Sequence, residues 1–304
     1  MKRMIACLLA LVVVVAAGAQ TKEIRVLLAN HPYGEVLKAA IPEFESATGI
    51  KVNVESLQES QLTTKLTTEF STNASSVDVF MTRPLQEGKM FYKNGWYEPA
   101  TGYDFSDFPK VALDVATFGT KTYIVPLVTE WQVLYYRKDL LKAANIKVPA
   151  TFAELEAAAK KLNTKDVVGF AARGKGAAAV TQQSSNNNGY GGRYLVGGKA
   201  VFDSKEAVEA MRFYGRMLAT YGPQGVVSMS WENIMPLFQA GKVAMWTDAS
   251  VFYGQIVDPA KSQVPMENVG IANVPAGPKA QQPFNVVSWG MSVAKNSKNK
   301  DLAN

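Results

Sequence analysis

The chain has 304 residues, 47% of them hydrophobic and 19% charged, with 32 Lys and Arg against 26 Asp and Glu. That length can bury a sizeable core in about two domains, and the composition is that of an ordinary globular protein. Basic residues are scattered singly, so nucleic acid binding has no footprint, and a single histidine excludes HExxH and multi-histidine metal sites.

Lys2 and Arg3 open the chain, an apolar run from Ile5 to Val15 follows, and Ala16-Ala17-Gly18-Ala19 ends it. This is the order of a secretory signal peptide, cut so that Gln20 begins the mature chain. The run is shorter than the roughly 20 apolar residues needed to cross a bilayer. Cys7 lies far from the cleavage site, so no lipid-modified cysteine is expected, and the mature chain holds no cysteine. Removing Lys2 and Arg3 lowers the net charge from +6 to +4. The expected location is the periplasm.

Ile24 to Leu28 reads as a strand, and Val36 to Ala47 as a helix closed by Gly49 despite Pro42. Val52 to Val54, the helix Leu62 to Phe70 and the strand Val77 to Met81 follow. Such alternation predicts a parallel α/β sheet. Tyr123 to Pro126 and the strand Val133 to Tyr136 open the middle third, and Thr151 with Glu154 forms a capping box for a helix ending at Leu162. Gly174 to Gly198, rich in Gly, Asn and Ser, reads as an exposed or ligand-facing loop. Ser204 caps a helix with Ala207, Met211, Tyr214 and Leu218 on one face. A helix with Ile234, Leu237 and Phe238 stops at Gly241, and Val243 to Trp246, Val269 to Ile271 and Val286 to Val293 read as strands.

Catalytic motifs are missing: there is no GxSxG elbow and no GxxxxGK[ST] phosphate loop. No apolar strand leads into Gly189, Gly191 and Gly192, so they do not form a phosphate cradle. A glycoside hydrolase needs only two carboxylates placed by the fold, so a secreted glycan-active enzyme stands as the alternative function. The tandem Tyr135-Tyr136 suggests a ferric site, but adjacent strand residues point to opposite faces, which favours a packing role. What remains is a set of aromatic and polar residues at strand ends: His31, Tyr33, Arg83, Glu130, Trp131, Tyr190, Trp231, Trp246, Asp248 and Trp289. Flat rings cover the C–H faces of a carbohydrate while charged and amide groups satisfy its hydroxyls. The competing reading of each tryptophan is a core residue.

Several segments are similar to those of bacterial extracellular solute-binding proteins of the carbohydrate type. They are Phe44-Glu45 with Gly49-Ile50-Lys51-Val52, then Gly95-Trp96-Tyr97-Glu98-Pro99, then Leu134 to Leu140 with Pro149 to Leu155. Phe238-Gln239-Ala240-Gly241-Lys242-Val243-Ala244-Met245 is the most specific, and Val293 to Ser297 closes the ordered set. The resemblance implies an α/β two-lobed periplasmic-binding-protein fold, with a central mixed sheet in each lobe and chain crossings at a hinge. Lobe one would be residues 20–128 and 268–304, and lobe two residues 129–267, after a signal peptide over residues 1–19. It implies capture of a sugar or polyol by a monomer, with the membrane permease of an ABC importer as partner, and neither cofactor, metal nor catalytic residue. By position, the ligand contacts would be His31, Tyr33, Arg83, Glu130, Trp131, Trp246, Asp248 and Trp289. Arg83 departs from the small or acidic residue common in the family, which points to a sugar alcohol or sugar acid. Family members continue past the segment Lys298 to Ala303, so either a truncated sequence or a variant with an incomplete second lobe is expected.

Overall fold

The computed structural model describes residues 22–279 and 285–304. The signal peptide, Cys7 and the Gln20 start lie outside the described residues.

β1 (Glu23–Ala29) buries Ile24 and then the whole run Val26 to Ala29. α1 (Pro32–Thr48) starts at His31, whose side chain accepts the Tyr33 N–H, and Gly49 ends it in the left-handed region at φ 67°. β2 (Lys51–Leu57), α2 (Glu59–Ser71) and β3 (Val79–Thr82) follow. β1 pairs parallel with both β2 and β3, a geometry that needs crossovers, and α1 and α2 supply them. A π turn over Pro84–Gly88 runs into α3 (Lys89–Lys93). Then come α4 (Lys110–Ala116), the two-residue strands β4 (Thr117–Phe118) and β5 (Lys121–Thr122), and the long β6 (Val125–Arg137).

α5 (Lys138–Ala143) leads to α6 (Phe152–Leu162), which carries the expected capping box of Thr151 and Glu154. α7 (Gly176–Gly189) occupies the stretch read above as a loop. Its residues have no apolar stripe, so periodicity misses it; of its buried polar side chains, Gln182 bonds Gln132 and Asp248, Ser185 bonds Gln132, and Gln183 accepts from the Tyr194 hydroxyl. β7 (Leu195–Val196) and β8 (Lys199–Ala200) form a small exposed hairpin. α8 (Lys205–Tyr221) is capped by Ser204 as expected, but its buried face is Ala207, Ala210, Phe213, Tyr214, Met217 and Leu218, with Met211 left 56% exposed. α9 (Trp231–Gln239), β9 (Met245–Ala249), α10 (Tyr253–Ile256), β10 (Val269–Asn273), β11 (Val286–Val293) and α11 (Lys300–Ala303) complete the order.

The main sheet has seven strands in the order β10-β6-β11-β3-β1-β2, with β9 also paired to β6. β6 is shared between two environments. Its Val125–Trp131 half runs antiparallel to β11, while Gln132–Arg137 pairs with β9 and β10. The first half belongs to a core containing Leu27, Leu66, Phe80, Phe91 and Trp289. The second is covered on both faces, by Leu134, Phe152, Phe213 and Met245 on one and by Tyr135, Phe238, Trp246 and Phe252 on the other. Tyr135 and Tyr136 therefore sit on opposite faces, and the Tyr135 hydroxyl donates to the Ala249 carbonyl at 2.7 Å. The molecule is an α/β protein of two lobes. β10 pairs with the far half of β6, and Val269 and Val274 pack beside Phe238 and Phe152.

Candidate functional site

The two cores meet where β6 passes from one to the other, and a cavity of about 30 Å³ lies at that point. The first core's side contributes Glu59, Arg83, Gln86, Glu130, Trp131 and Trp289, and the second core's side Gln132, Arg173, Thr181 and Gln182.

Arg83 follows β3 and caps the π turn. Its backbone N–H donates to Glu87 Oε1 at 3.0 Å, and its guanidinium donates to Glu87 Oε2 at 3.1 Å and Thr63 Oγ1 at 2.9 Å. A further bond reaches Glu59 Oε2 at 3.4 Å, at the first turn of α2. The guanidinium carbon also lies 5.3 Å from the Trp289 ring centroid, within cation–π range. Trp289 comes from β11, and its indole N–H donates to Glu130 Oε1 at 3.2 Å. Glu130 Oε2 is buried with no hydrogen-bond partner among the described residues. Behind this pair His31 is buried, its ring 5.1 Å from Trp289 and its Nε2 3.6 Å from Glu130 Oε1. Nδ1 accepts the Tyr33 N–H at 3.1 Å, so the proton of a neutral imidazole is assigned to Nε2, facing Glu130.

On the opposite wall Arg173 meets Asp248 in a bidentate pair. Nε lies 3.0 Å from both carboxylate oxygens and Nη2 2.6 Å from Oδ1. Burial opposes the charge on Arg173, but the Asp248 carboxylate more than offsets it and holds the guanidinium above its usual range. Burial likewise pushes Asp248 up while Arg173 pulls it back. The fork geometry requires both groups to be ionised, and the pair is so assigned. Asp248 also accepts from Trp246 Nε1 at 3.1 Å, the Ala249 N–H at 2.8 Å and Gln182 Nε2 at 3.3 Å. Gln132 links this wall to α7, its amide bonded to Gln182 and Ser185. Across the gap Arg173 Nη1 stands 3.9 Å from Glu59 Oε1.

Of the residues expected to touch a ligand, Arg83, Glu130, Trp131 and Trp289 line the cavity. His31 stands behind Glu130. Tyr33, Trp246 and Asp248 do not line it. Tyr33 lies on α1 and meets the site only through its backbone bond to His31. Trp246 is 0% exposed, its ring between Tyr135, Phe238 and Phe252, because both faces of β9 are covered. Asp248 is saturated by protein donors and acts on the cavity through Arg173. Sequence reasoning did not single out Glu59, Gln132 or Arg173, and it covered Thr181 and Gln182 only within the stretch Gly174 to Gly198 read as exposed or ligand-facing. The one available signal was the polar run Thr181 to Asn188, too polar for a buried helix unless it lines something polar.

Tryptophans beside unpaired and paired hydrogen-bonding groups match the apolar C–H surface and hydroxyl rim of a polyhydroxylated molecule. Among the described residues no group of three or more His, Cys, Asp or Glu is placed to hold a metal ion, and no helix is long and apolar enough to cross a membrane.

Comparison with known proteins agrees with this chemistry. The family described as bacterial extracellular solute-binding protein matches residues 29–304. The chain is 30% identical over 259 residues to the mannitol-binding protein of Pseudomonas aeruginosa, covering 81% of this chain and 59% of that protein. An ABC transporter solute-binding protein from Agrobacterium vitis S4, solved with bound D-mannitol, superposes with a TM-score of 0.86 at 27% identity, over 92% of this chain and 70% of the other. One from Agrobacterium radiobacter K84, in complex with ribitol, gives 0.82 at 29% identity, over 92% and 74%.

Proposed function

The chain belongs to the bacterial extracellular solute-binding proteins, and from that premise we propose that it captures a sugar or polyol between its two lobes and delivers it to the permease of an ABC importer. The observation that carries this reading is the cavity at the β6 crossing, lined by Trp131, Trp289 and Glu130, whose Oε2 has no hydrogen-bond partner among the described residues. A neutral hydroxyl donates to that oxygen while the adjoining carbons rest on indole. The relatives named for mannitol and ribitol support the ligand class. In this reading the protein is a monomer that returns its ligand unchanged. One lobe comprises residues 22–131 and 286–304, and the other residues 132–279. The chain is exported and cut before Gln20 into the periplasm, which the mass of the secreted protein tests directly.

Titration calorimetry and melting curves with D-mannitol, ribitol and maltose test the capture. A bound ligand at a hundredfold excess over its dissociation constant adds about 2.7 kcal/mol of stability. No heat and no shift with any neutral sugar or alditol would overturn the reading. Recovery of chemically altered sugar would favour the glycoside hydrolase instead.

A further inference from the structure

Both guanidiniums that line the cavity are already matched to carboxylates. Arg173 is forked onto Asp248, and Arg83 is bonded to Glu87. Glu59 lies between them, with one oxygen 3.4 Å from Arg83 and the other 3.9 Å from Arg173. With Glu130 added, the cavity and its immediate supports hold more carboxylates than guanidiniums, and Glu130 Oε2 is the buried acceptor still without a partner. A ligand carboxylate entering here would meet no uncompensated cation and would face Glu130 at short range. Its desolvation would then go unrepaid. A hydroxyl meets no such penalty.

We propose that Glu59 is a specificity-determining residue, a carboxylate in excess of those that match Arg83 and Arg173, whose surplus negative charge restricts the cleft to uncharged polyhydroxyl ligands and excludes sugar acids. This rests on the capture of a sugar or polyol proposed above and narrows its ligand class. Glu59 suits the role because it sits on α2 of the first lobe yet faces Arg173 of the second, so its charge is felt by both walls of the gap. Glu→Gln at this position keeps the shape and removes the charge, leaving each guanidinium with one carboxylate fewer.

The test is calorimetry on matched pairs, each neutral ligand against its aldonic acid: D-mannitol with D-mannonate, ribitol with D-ribonate, maltose with maltobionate. Whichever neutral ligand binds the native protein, its acid should bind at least a hundredfold more weakly. Glu59→Gln should narrow that ratio at least tenfold, through tighter binding of the acid. Gln86→Lys, at an exposed residue on the cavity edge, adds a cation without touching Glu59 and should narrow the ratio the same way even if Glu59→Gln folds poorly. An acid bound within tenfold of its neutral partner by the native protein would overturn the charge gate while leaving sugar capture standing. So would a ratio unmoved in both variants. Binding of none of the six ligands would overturn the capture reading, and this inference with it.

Discussion

Two tryptophans with similar sequence surroundings do different work. Trp131 follows Glu130, is 51% exposed and lines the cavity, whereas Trp246 lies near Asp248 and is wholly enclosed. Trp131→Ala should leave stability within about 0.5 kcal/mol of native, as exposed substitutions do. Losing its ring should weaken D-mannitol binding by about 1–2 kcal/mol, roughly tenfold. Trp246→Ala should instead cost about 3–5 kcal/mol in urea unfolding, by emptying a core site and removing one of the donors to Asp248. A Trp246 variant that unfolds like native protein but binds poorly would reverse that assignment. Asp139 offers a test of charge at the same scale. Arg137 donates to both its oxygens, at 2.8 and 2.5 Å, and this holds the carboxyl below its usual range. A carboxylate depressed in the folded state stabilises above its unfolded pKa and loses that contribution as pH falls through the folded one. The pair is partly exposed, so solvent screening limits it to roughly 0.2–1 kcal/mol. Urea titrations of native protein and Asp139→Asn should therefore differ by that amount near neutrality and converge in strong acid.

Among the elements, α7 connects packing most directly to the site. Its last residue, Gly189, lies against Gly277, and a Cβ placed on Gly277 would come 2.3 Å from the Gly189 carbonyl carbon. Backbone meets backbone there, so neither side can yield by a side-chain rotation. Gly277→Ala should push α7 outward at a cost of roughly 1–3 kcal/mol. Because α7 carries Thr181 and Gln182 into the cavity wall, ligand affinity should fall as well. Parallel unfolding and binding titrations measure both effects, and a loss confined to stability would detach α7 from the site. Gly215 is the contrasting case. It is exposed within α8, and nothing lies within 4 Å of a Cβ built on it. Gly215→Ala should raise stability by roughly 0.5–1 kcal/mol through helix propensity alone, with binding unchanged.

At the scale of the whole molecule, the two lobes share β6 and meet across a gap crossed by the Glu59–Arg173 approach and by Asn285, whose amide donates to the Thr181 carbonyl and Ser184 hydroxyl. The cavity of about 30 Å³ has room for about one water. A hexitol is several times larger and enters only if the lobes part and then close around it, a hinge motion absorbed by a few residues at the crossings. Small-angle scattering should accordingly show a radius of gyration that falls on saturation with the bound polyol. An unchanged radius would argue for a rigid groove.

The sequence by itself determined the local elements, since an apolar period of two or three to four residues and a cap need only neighbours along the chain. β1, α1, α6 and β11 were legible for that reason, as were the parallel pairings of β1 and the roles of Tyr135 and Tyr136 on opposite faces. Of the eight residues expected to touch a ligand, Arg83, Glu130, Trp131 and Trp289 fall on the cavity lining. The tertiary structure alone decided the rest. α7 packs as a buried polar helix through partners such as Gln132 and Asp248 that are distant in sequence, and β10 joins the second core because β6 continues far enough to pair with it. Glu59, Arg83, Arg173 and Asp248 are more than a hundred residues apart at the extremes and become one charge cluster only when two lobes face each other. Whether an aromatic beyond a strand fills a core or lines a cleft depends on which layer covers that face of the sheet. That layer is set by segments the local pattern does not contain.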